Sequence, residues 1–187
     1  NTAAGGLTID NATTIGATAS SDNAALETAV AELTITSGNG DAFISEADVI
    51  GLGTVDVGAN TLDIRSITGN ITDDTSALTA DNLILTVEAN DASIGASGNE
   101  INVTLSGTLT ATASTGNGGI FISESDDMSI ETVNANGGDV ELTSTEGTID
   151  ESADSTDTNI TAANLTLTAN TDGKFIGVTG TDGRLDV

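Results

Sequence analysis

The sequence contains no histidine, cysteine, proline, tryptophan or tyrosine. Without histidine or cysteine it cannot form a Ser–His or Cys–His nucleophile pair, or the usual zinc, haem or iron–sulfur ligand sets. Cations are also scarce, because 3 Lys and Arg residues stand against 29 Asp and Glu residues, for a formal net charge of −26. Nucleic acid and anionic membrane surfaces would repel such a chain, so we expect neither as a partner.

Hydrophobic residues are nevertheless frequent and regularly placed. They make up 37% of the chain and are chiefly aliphatic, since aromatic residues account for only 2%. Disordered acidic chains usually combine high charge with low hydrophobicity. We therefore expect residues 1–187 to form one folded segment with an aliphatic core, which is either an excerpt of a longer repetitive protein or a stacking fibre subunit. The longest aliphatic cluster, around Leu83-Ile84-Leu85, is far too short to insert across a bilayer.

A strand-like pattern repeats along the whole chain. A core of the type L-x-[IL] begins at Leu7, Leu33, Leu62, Leu83, Leu109, Val140 and Leu165. The six steps between these positions total 158 residues, or about 26 residues each. A second and a weaker third strand core follow each of them, separated by turns rich in Gly, Asn, Asp and Ser. The spacing predicts about seven coils of three short strands.

A longer period is superimposed on the coils. Phe43-Ile44-Ser45-Glu46 returns 78 residues later as Phe121-Ile122-Ser123-Glu124, and Gly69-Asn70-Ile71 returns at the same distance as Gly147-Thr148-Ile149. We interpret this as a super-repeat of three coils. Short alternating strands cannot bury a face alone, so we expect an all-β fold in which the coils stack as a right-handed parallel β-helix, a three-strand β-solenoid. A β-sandwich would explain the strands but not the super-repeat.

Several of these segments resemble the repetitive shaft of filamentous-haemagglutinin-like large exoproteins and adhesins, the two-partner secretion type of Gram-negative bacteria. The resemblance is carried by Ile94-Gly95, Ile101 to Leu105, Gly107-Thr108-Leu109, Phe121 to Glu124, Gly138 to Thr143 and Leu165 to Ala169. It implies a right-handed parallel β-helix shaft, an extracellular or cell-surface location, and repeats that contain no catalytic residues.

Acidic residues recur two positions after the second-strand isoleucine. Stacked coils would place Glu46 over Asp73, and Glu124 over Glu151. We interpret these positions as solvated acidic corners, and the alternative is a set of weak Ca²⁺ sites, because hard oxygen ligands on turns suit that ion. The candidate Ca²⁺ ligands are Glu46, Asp48, Asp73, Asp74, Glu124, Asp126, Asp127, Asp150 and Glu151. We expect no other cofactor.

Adjacent acids at Asp73-Asp74 and Asp126-Asp127 raise the possibility of a polysaccharide-cleaving β-helix enzyme. Neighbouring residues on one strand point to opposite faces, so these doublets are poor catalytic pairs. With almost no cations, an anionic sugar would also find little to bind it. We expect no enzyme unless a flanking region supplies cations.

The three phenylalanines, Phe43, Phe121 and Phe175, each directly precede a second-strand isoleucine. Alternation along a strand predicts that they face outward. They would then be covered by turns or be available for lateral packing against another rod, and the alternative is that they sit in the core.

We therefore expect a non-catalytic structural repeat module of an extracellular or cell-surface filament or adhesin shaft. Its partners would be neighbouring repeats of the same protein, or further copies joined end to end or laterally. The alternative is a Ca²⁺-dependent or glycan-binding adhesive segment that contacts host or environmental glycans.

Overall fold

The computed structural model describes residues 5–17, 24–36, 39–73, 76–152, 158–177 and 185–187. The elements in these ranges are all strands, and no described helix is long and apolar enough to cross a membrane. The strands are β1 Gly6–Asp10, β2 Leu26–Thr28, β3 Glu32–Thr36, β4 Ala42–Glu46, β5 Ile50–Asp56, β6 Leu62–Ser66, β7 Ile71–Asp73, β8 Leu78–Ala80, β9 Leu83–Val87, β10 Ile101–Leu105, β11 Thr108–Ala113, β12 Ile120–Glu124, β13 Met128–Asn134, β14 Val140–Ser144, β15 Ile149–Glu151, β16 Ile160–Thr161 and β17 Leu165–Ala169.

The strands form two parallel sheets, between which the chain alternates. Sheet A runs β1-β3-β5-β8-β10-β12-β14-β17, and β7 also pairs with β5. Sheet B runs β15-β13-β11-β9-β6-β4-β2, and β16 also pairs with β13. Each turn of the chain therefore adds a further layer of strand to each of the two sheets. The predicted all-β fold with stacked parallel strands is confirmed, as a β-solenoid of about six turns.

The turn is shorter than the sequence spacing predicted. Paired strands lie about 21 residues apart, against about 26 expected, and there are about six turns rather than seven. Leu33 pairs with Leu52 in sheet A, whereas Leu62 pairs with Leu83 in sheet B. The repeated cores therefore do not form one column, and the described strands make two sheets rather than three. The reason is that both sides of a turn carry the same alternating aliphatic pattern, so the pattern does not tell them apart.

The super-repeat carries each strand to the opposite sheet. From β4 to β12 the chain passes through β5, β6, the β7–β8 side, β9, β10 and β11, which makes seven crossings between the sheets. β7 and β8 count as one side because both pair with β5. As a result Ile44 lies in sheet B and its repeat counterpart Ile122 lies in sheet A. The super-repeat is therefore not a whole number of turns, contrary to the three coils predicted.

The core lies between the sheets and is built from every second residue of each strand. In β6 and β9 the core positions Leu62, Ile64, Leu83 and Leu85 are fully buried, while the residues between them are half-buried on the outer side. Such alternation is what a strand with one core-facing side requires. Aliphatic burial on this scale supplies most of the stabilisation of the stack.

Two glycines in left-handed conformations fix repeat-related turns. Gly16 has φ of 68° and Gly95 has φ of 69°. A Cβ atom on Gly95 would lie 2.4 Å from the carbonyl oxygen of Phe121. We expect Gly95→Ala to lower the free energy of unfolding by about 3 kcal/mol or more, because strain and a backbone clash add.

Gly98 provides the matched control for this substitution. Its φ is +80°, but no atom beyond the adjoining residues of the chain lies within 4 Å of the position its Cβ would occupy. Gly98→Ala should therefore cost only the left-handed backbone strain, about 1–2 kcal/mol. Urea denaturation of both variants measures the difference, and equal losses would contradict the role of the Phe121 contact.

Candidate functional site

Four of the candidate acids point into the solenoid. Glu46 and Glu124 are fully buried, and Asp73 and Glu151 are only 8% exposed. The expectation of solvated corners is wrong at these positions. Each acid stands two residues after a core isoleucine on the same strand, and residues two apart share a face. The alternation along the strand, which predicted that the isoleucines face the core, therefore also predicts that these acids face the core.

The predicted acidic stacks are also wrong. Glu46 pairs with Thr28 and Ser66 in sheet B, whereas Asp73 pairs with Leu52 in sheet A. In the second copy, Glu124 pairs with Ser144 in sheet A and Glu151 pairs with Ile130 in sheet B. The 27 residues between the acids of each expected stack carry the chain to the other sheet, because a full turn takes only about 21.

Glu46 is buried and accepts hydrogen bonds from residues at the corner of the preceding turn. Its Oε2 accepts a hydrogen bond from the Thr28 hydroxyl at 2.6 Å and from the Val30 N–H at 3.1 Å. Its Oε1 accepts from the N–H groups of Ala47 at 3.0 Å and Asp48 at 3.4 Å. Both carboxylate oxygens are therefore satisfied, and the side chain ties two consecutive turns together.

Glu124 occupies the same repeat position with fewer partners. Its Oε1 accepts from the N–H groups of Leu105 and Ser125, both at 3.1 Å. Its buried Oε2 has no hydrogen-bond partner. Burial raises the pKa of Glu124 to about 8; the two N–H groups oppose this in part, and the nearby Asp126 charge adds to it. The carboxyl group therefore holds its proton at neutral pH.

Asp73 and Glu151 form the second repeat-related pair of buried acids. Asp73 Oδ2 accepts from the backbone N–H of Asn102 at 3.1 Å and from its side-chain amide at 2.8 Å. Asp73 Oδ1 and Glu151 Oε2 are buried without a hydrogen-bond partner. One oxygen of each carboxyl group therefore lies inside the stack without a hydrogen-bond donor.

Two buried serines, which the sequence analysis missed, complete the corners. Ser66 Oγ donates to the Asp48 carbonyl at 2.6 Å, and Ser144 Oγ donates to the Asp126 carbonyl at 2.5 Å. Each serine is paired with the buried glutamate of the preceding turn, Glu46 or Glu124. The sequence contains a signal that could have identified them, because the two serines are 78 residues apart and each stands at a core-facing position of its strand.

The remaining candidate Ca²⁺ ligands lie nearer the surface. Asp126 and Asp127 are exposed, Asp48 and Asp150 are half-buried, and Asp74 lies outside the described residues. Asp127 also lies 3.6 Å from the Lys174 ammonium group. Within the described ranges, no group of three or more acidic side chains is placed to hold a metal ion.

Calcium binding stays a prediction that a melting curve can test. The place to look is a cavity of about 320 Å³ lined by Asp127, Asp150, Glu151 and three neutral residues. A cation held there would raise Tm in millimolar CaCl₂ relative to NaCl of the same ionic strength. An unchanged Tm would end the calcium hypothesis.

The phenylalanines differ in exposure. Phe43 and Phe121 are half-buried on the outer side of β4 and β12, and Phe175 is 54% exposed. A Cβ atom added to Gly119 would lie 2.4 Å from the Phe121 ring, so the glycine leaves space that this ring fills. The outward direction predicted for Phe43 and Phe121 agrees with their position between buried neighbours. Lateral packing through them stays a prediction.

The four buried acids are distributed over both sheets, with Glu46 and Glu151 in sheet B and Asp73 and Glu124 in sheet A. Three of them, Glu46, Asp73 and Glu124, each accept a backbone hydrogen bond from a neighbouring turn. This arrangement holds successive turns in register. No protein-family model, curated protein or solved structure matches the chain.

Proposed function

We propose that this chain is a non-catalytic structural repeat module of an extracellular or cell-surface filament or adhesin shaft. The observation that carries the proposal is that core-facing residues are similar in both copies of the super-repeat, whereas some exposed residues differ. Core-facing counterparts keep their character, as in Ile44 and Ile122, or Glu46 and Glu124. They are the residues that hold one turn against the next.

Some exposed counterparts change in character. The exposed residues Val49 and Ile67 correspond, 78 residues later, to Asp127 and Thr145. Ile67 lines an open groove of about 440 Å³, and its counterpart Thr145 is a polar residue. A catalytic or ligand-binding surface would depend on these outward side chains, whereas a shaft depends on the stacking of its turns.

The location rests on the resemblance to filamentous-haemagglutinin-like shafts and on the charge. A net charge of −26 keeps a rod soluble and separated from other acidic surfaces. Immunogold electron microscopy of intact source cells, with antibodies against this chain, tests the proposal. We expect gold along surface filaments or projections, and labelling that appears only after lysis would overturn the proposal.

A further inference from the structure

We propose that a groove on the outer side of sheet B binds a lysine side chain presented by a partner protein. The inference goes beyond the proposed structural function and does not depend on it. The groove has a volume of about 440 Å³ and spans three successive turns, because its lining comes from β2, β4 and the residues that follow β2, β4 and β6. The lining residues are Glu27, Thr28, Ala29, Ser45, Ala47 and Ile67.

The apolar wall of the groove is a column of three residues at the corner of the solenoid. The Ala47 N–H donates to the Thr28 carbonyl at 3.0 Å and the Ile67 N–H donates to the Glu46 carbonyl at 2.9 Å, so the residues after each strand continue its register. Ala29, Ala47 and Ile67 therefore lie side by side. The two alanine side chains are short, and the Ile67 side chain beside them is 39% exposed, so the wall is open to a ligand.

Two polar side chains of the groove have no partner among the described residues. Ser45 is only 5% exposed, yet its hydroxyl makes no hydrogen bond within the described ranges. Glu27 is exposed, and its carboxylate has neither a hydrogen bond nor an ion pair in the same part of the chain. The two residues are direct neighbours in the register of β2 and β4, and both line the groove. A buried hydroxyl without a partner is uncommon, and a donor from a ligand would satisfy it.

The charges around the groove favour a cation as the ligand. Arg65 pairs with Ser45 from the following turn, and its Nε lies 2.7 Å from the Glu88 carboxylate. The Arg65 charge is thus balanced by Glu88, whereas no described ion pair balances the charge of Glu27. A complementary ligand therefore combines a positive group for Glu27 with an apolar stem for the wall beside Ile67.

A lysine side chain has this composition. Its methylene groups can lie along an apolar wall while the ammonium group reaches the polar rim. The ammonium donors point in three directions and can serve both Glu27 and Ser45, whereas those of a guanidinium lie in one plane. The chain's own lysine, Lys174, already lies 3.6 Å from Asp127, and a net charge of −26 complements a basic partner. The occupant is therefore a lysine of another protein.

The second copy of the super-repeat lacks this chemistry and provides an internal control. In the strand register of sheet A, Asn102 and Thr104 take the positions of Glu27 and Ala29. The Thr104 hydroxyl is hydrogen-bonded to the Ser125 hydroxyl at 2.9 Å. The corresponding wall is therefore polar and has no carboxylate beside it. We expect one binding site in the chain rather than one in each copy.

A nuclear magnetic resonance titration with Nα-acetyl-lysine methylamide tests the site in the whole chain. The probe has one ammonium group and one apolar stem. Its Nε-acetylated form, which keeps the stem without the charge, is the matched control. We expect the amide signals of Ser45, Ala47 and Ile67 to shift and to saturate at one probe per chain. The acetylated probe should bind at least about tenfold more weakly.

Two variants separate this site from the general attraction of a cation to an acidic chain. Glu27→Gln removes the exposed carboxylate of the groove and should weaken binding at least about tenfold. Glu146→Gln removes the same charge at an exposed position outside the groove and should change binding less than about twofold. Ile67→Thr introduces the side chain of the other copy and should also weaken binding. Unchanged signals elsewhere in each variant show that the fold is intact.

Equal effects of Glu27→Gln and Glu146→Gln, or shifts that grow without saturating, would overturn the proposal, because only unspecific attraction would then remain. A second copy is the other occupant that the experiment detects. Shifts at the groove that appear without probe as the protein concentration rises, and that Lys174→Ala abolishes, would overturn the assignment to another protein.

Discussion

Replacing Glu124 by glutamine is expected to stabilise the folded protein at pH 9 and to leave its stability nearly unchanged at pH 5. The Glu124 carboxyl group is fully buried, with one oxygen bonded to two N–H groups and the other without a partner. A glutamine has the same shape, can keep the bonded oxygen in place, and does not ionise. It therefore removes the cost of holding a charge at this position while retaining the contacts of the neutral acid.

The sign of the pH effect follows from the direction of the pKa shift. The pKa of Glu124 is raised from an ordinary 4.5 to about 8 in the folded chain. Between these values the folded state keeps a proton that the unfolded state has released. The free energy of unfolding therefore falls with rising pH in this window, by at most about 1.4 kcal/mol per pH unit from this one group. Below pH 4.5 and above pH 8 the group adds no further slope.

Glu46→Gln is the matched control, because Glu46 is the repeat counterpart of Glu124. Both oxygens of Glu46 accept hydrogen bonds, from the Thr28 hydroxyl and from backbone N–H groups. A glutamine would turn an amide donor toward these donors, so we expect a loss of about 1–3 kcal/mol at both pH values. Urea denaturation of the three proteins at pH 5 and pH 9 makes the comparison. A Glu124→Gln variant whose pH dependence parallels that of the wild type would contradict the assignment.

The difference between these two glutamates shows where sequence reasoning stops. Both end the same tetrapeptide, Phe-Ile-Ser-Glu. Glu46 pairs with Thr28 of the preceding turn, which supplies a hydroxyl donor, whereas Glu124 pairs with Val103, which has none. Whether the preceding turn supplies a hydroxyl donor is thus decided by the residue stacked beside the acid. That neighbour becomes known only when the register between turns is known.

The register was the weakest part of the sequence-based prediction. Alternating aliphatic residues and the 78-residue similarity predicted a parallel β-solenoid, and the fold is confirmed. The prediction assigned Leu33 and Leu62 to one column, but they lie in different sheets. Since both sides of each turn bury the same kind of side chain, spacing alone could not distinguish a half-turn from a whole one. Pairing between strands was needed to count the crossings.

Deletion of one super-repeat, residues 47–124, is expected to give a shorter folded solenoid in which every downstream strand changes sheet. The deletion removes 78 residues and joins Glu46 to Ser125, the residue that follows the counterpart of Glu46. β13 would then replace β5 against β3. Both strands have seven residues, and each shows a register shift against its preceding strand. The shorter stack should unfold cooperatively at a lower Tm, because fewer interfaces between turns remain.

A disulfide can report the change of sheet, since the chain has no cysteine of its own. Phe43 pairs with Asp63 in sheet B, and Glu141 is the counterpart of Asp63 one super-repeat later. In the deletion variant, residues 43 and 141 should therefore become direct neighbours, with Cα atoms about 5 Å apart, a separation that a disulfide can bridge. In the full chain these residues lie in opposite sheets. Cysteines at both positions should cross-link under mild oxidation only after the deletion.

Removing one residue more provides the control for the deletion. Without residues 47–125, the corner after Glu46 is one residue shorter. Either the corner strains, or the following strand slips by one position and turns Met128, Ile130 and Val133 away from the core. We expect this variant to lose cooperative unfolding and the cross-link between positions 43 and 141. If the 79-residue deletion folded and cross-linked as well as the 78-residue one, the corner and its buried glutamate would not set the register between strands. The super-repeat of three and a half turns would then be a similarity of sequence without a structural role.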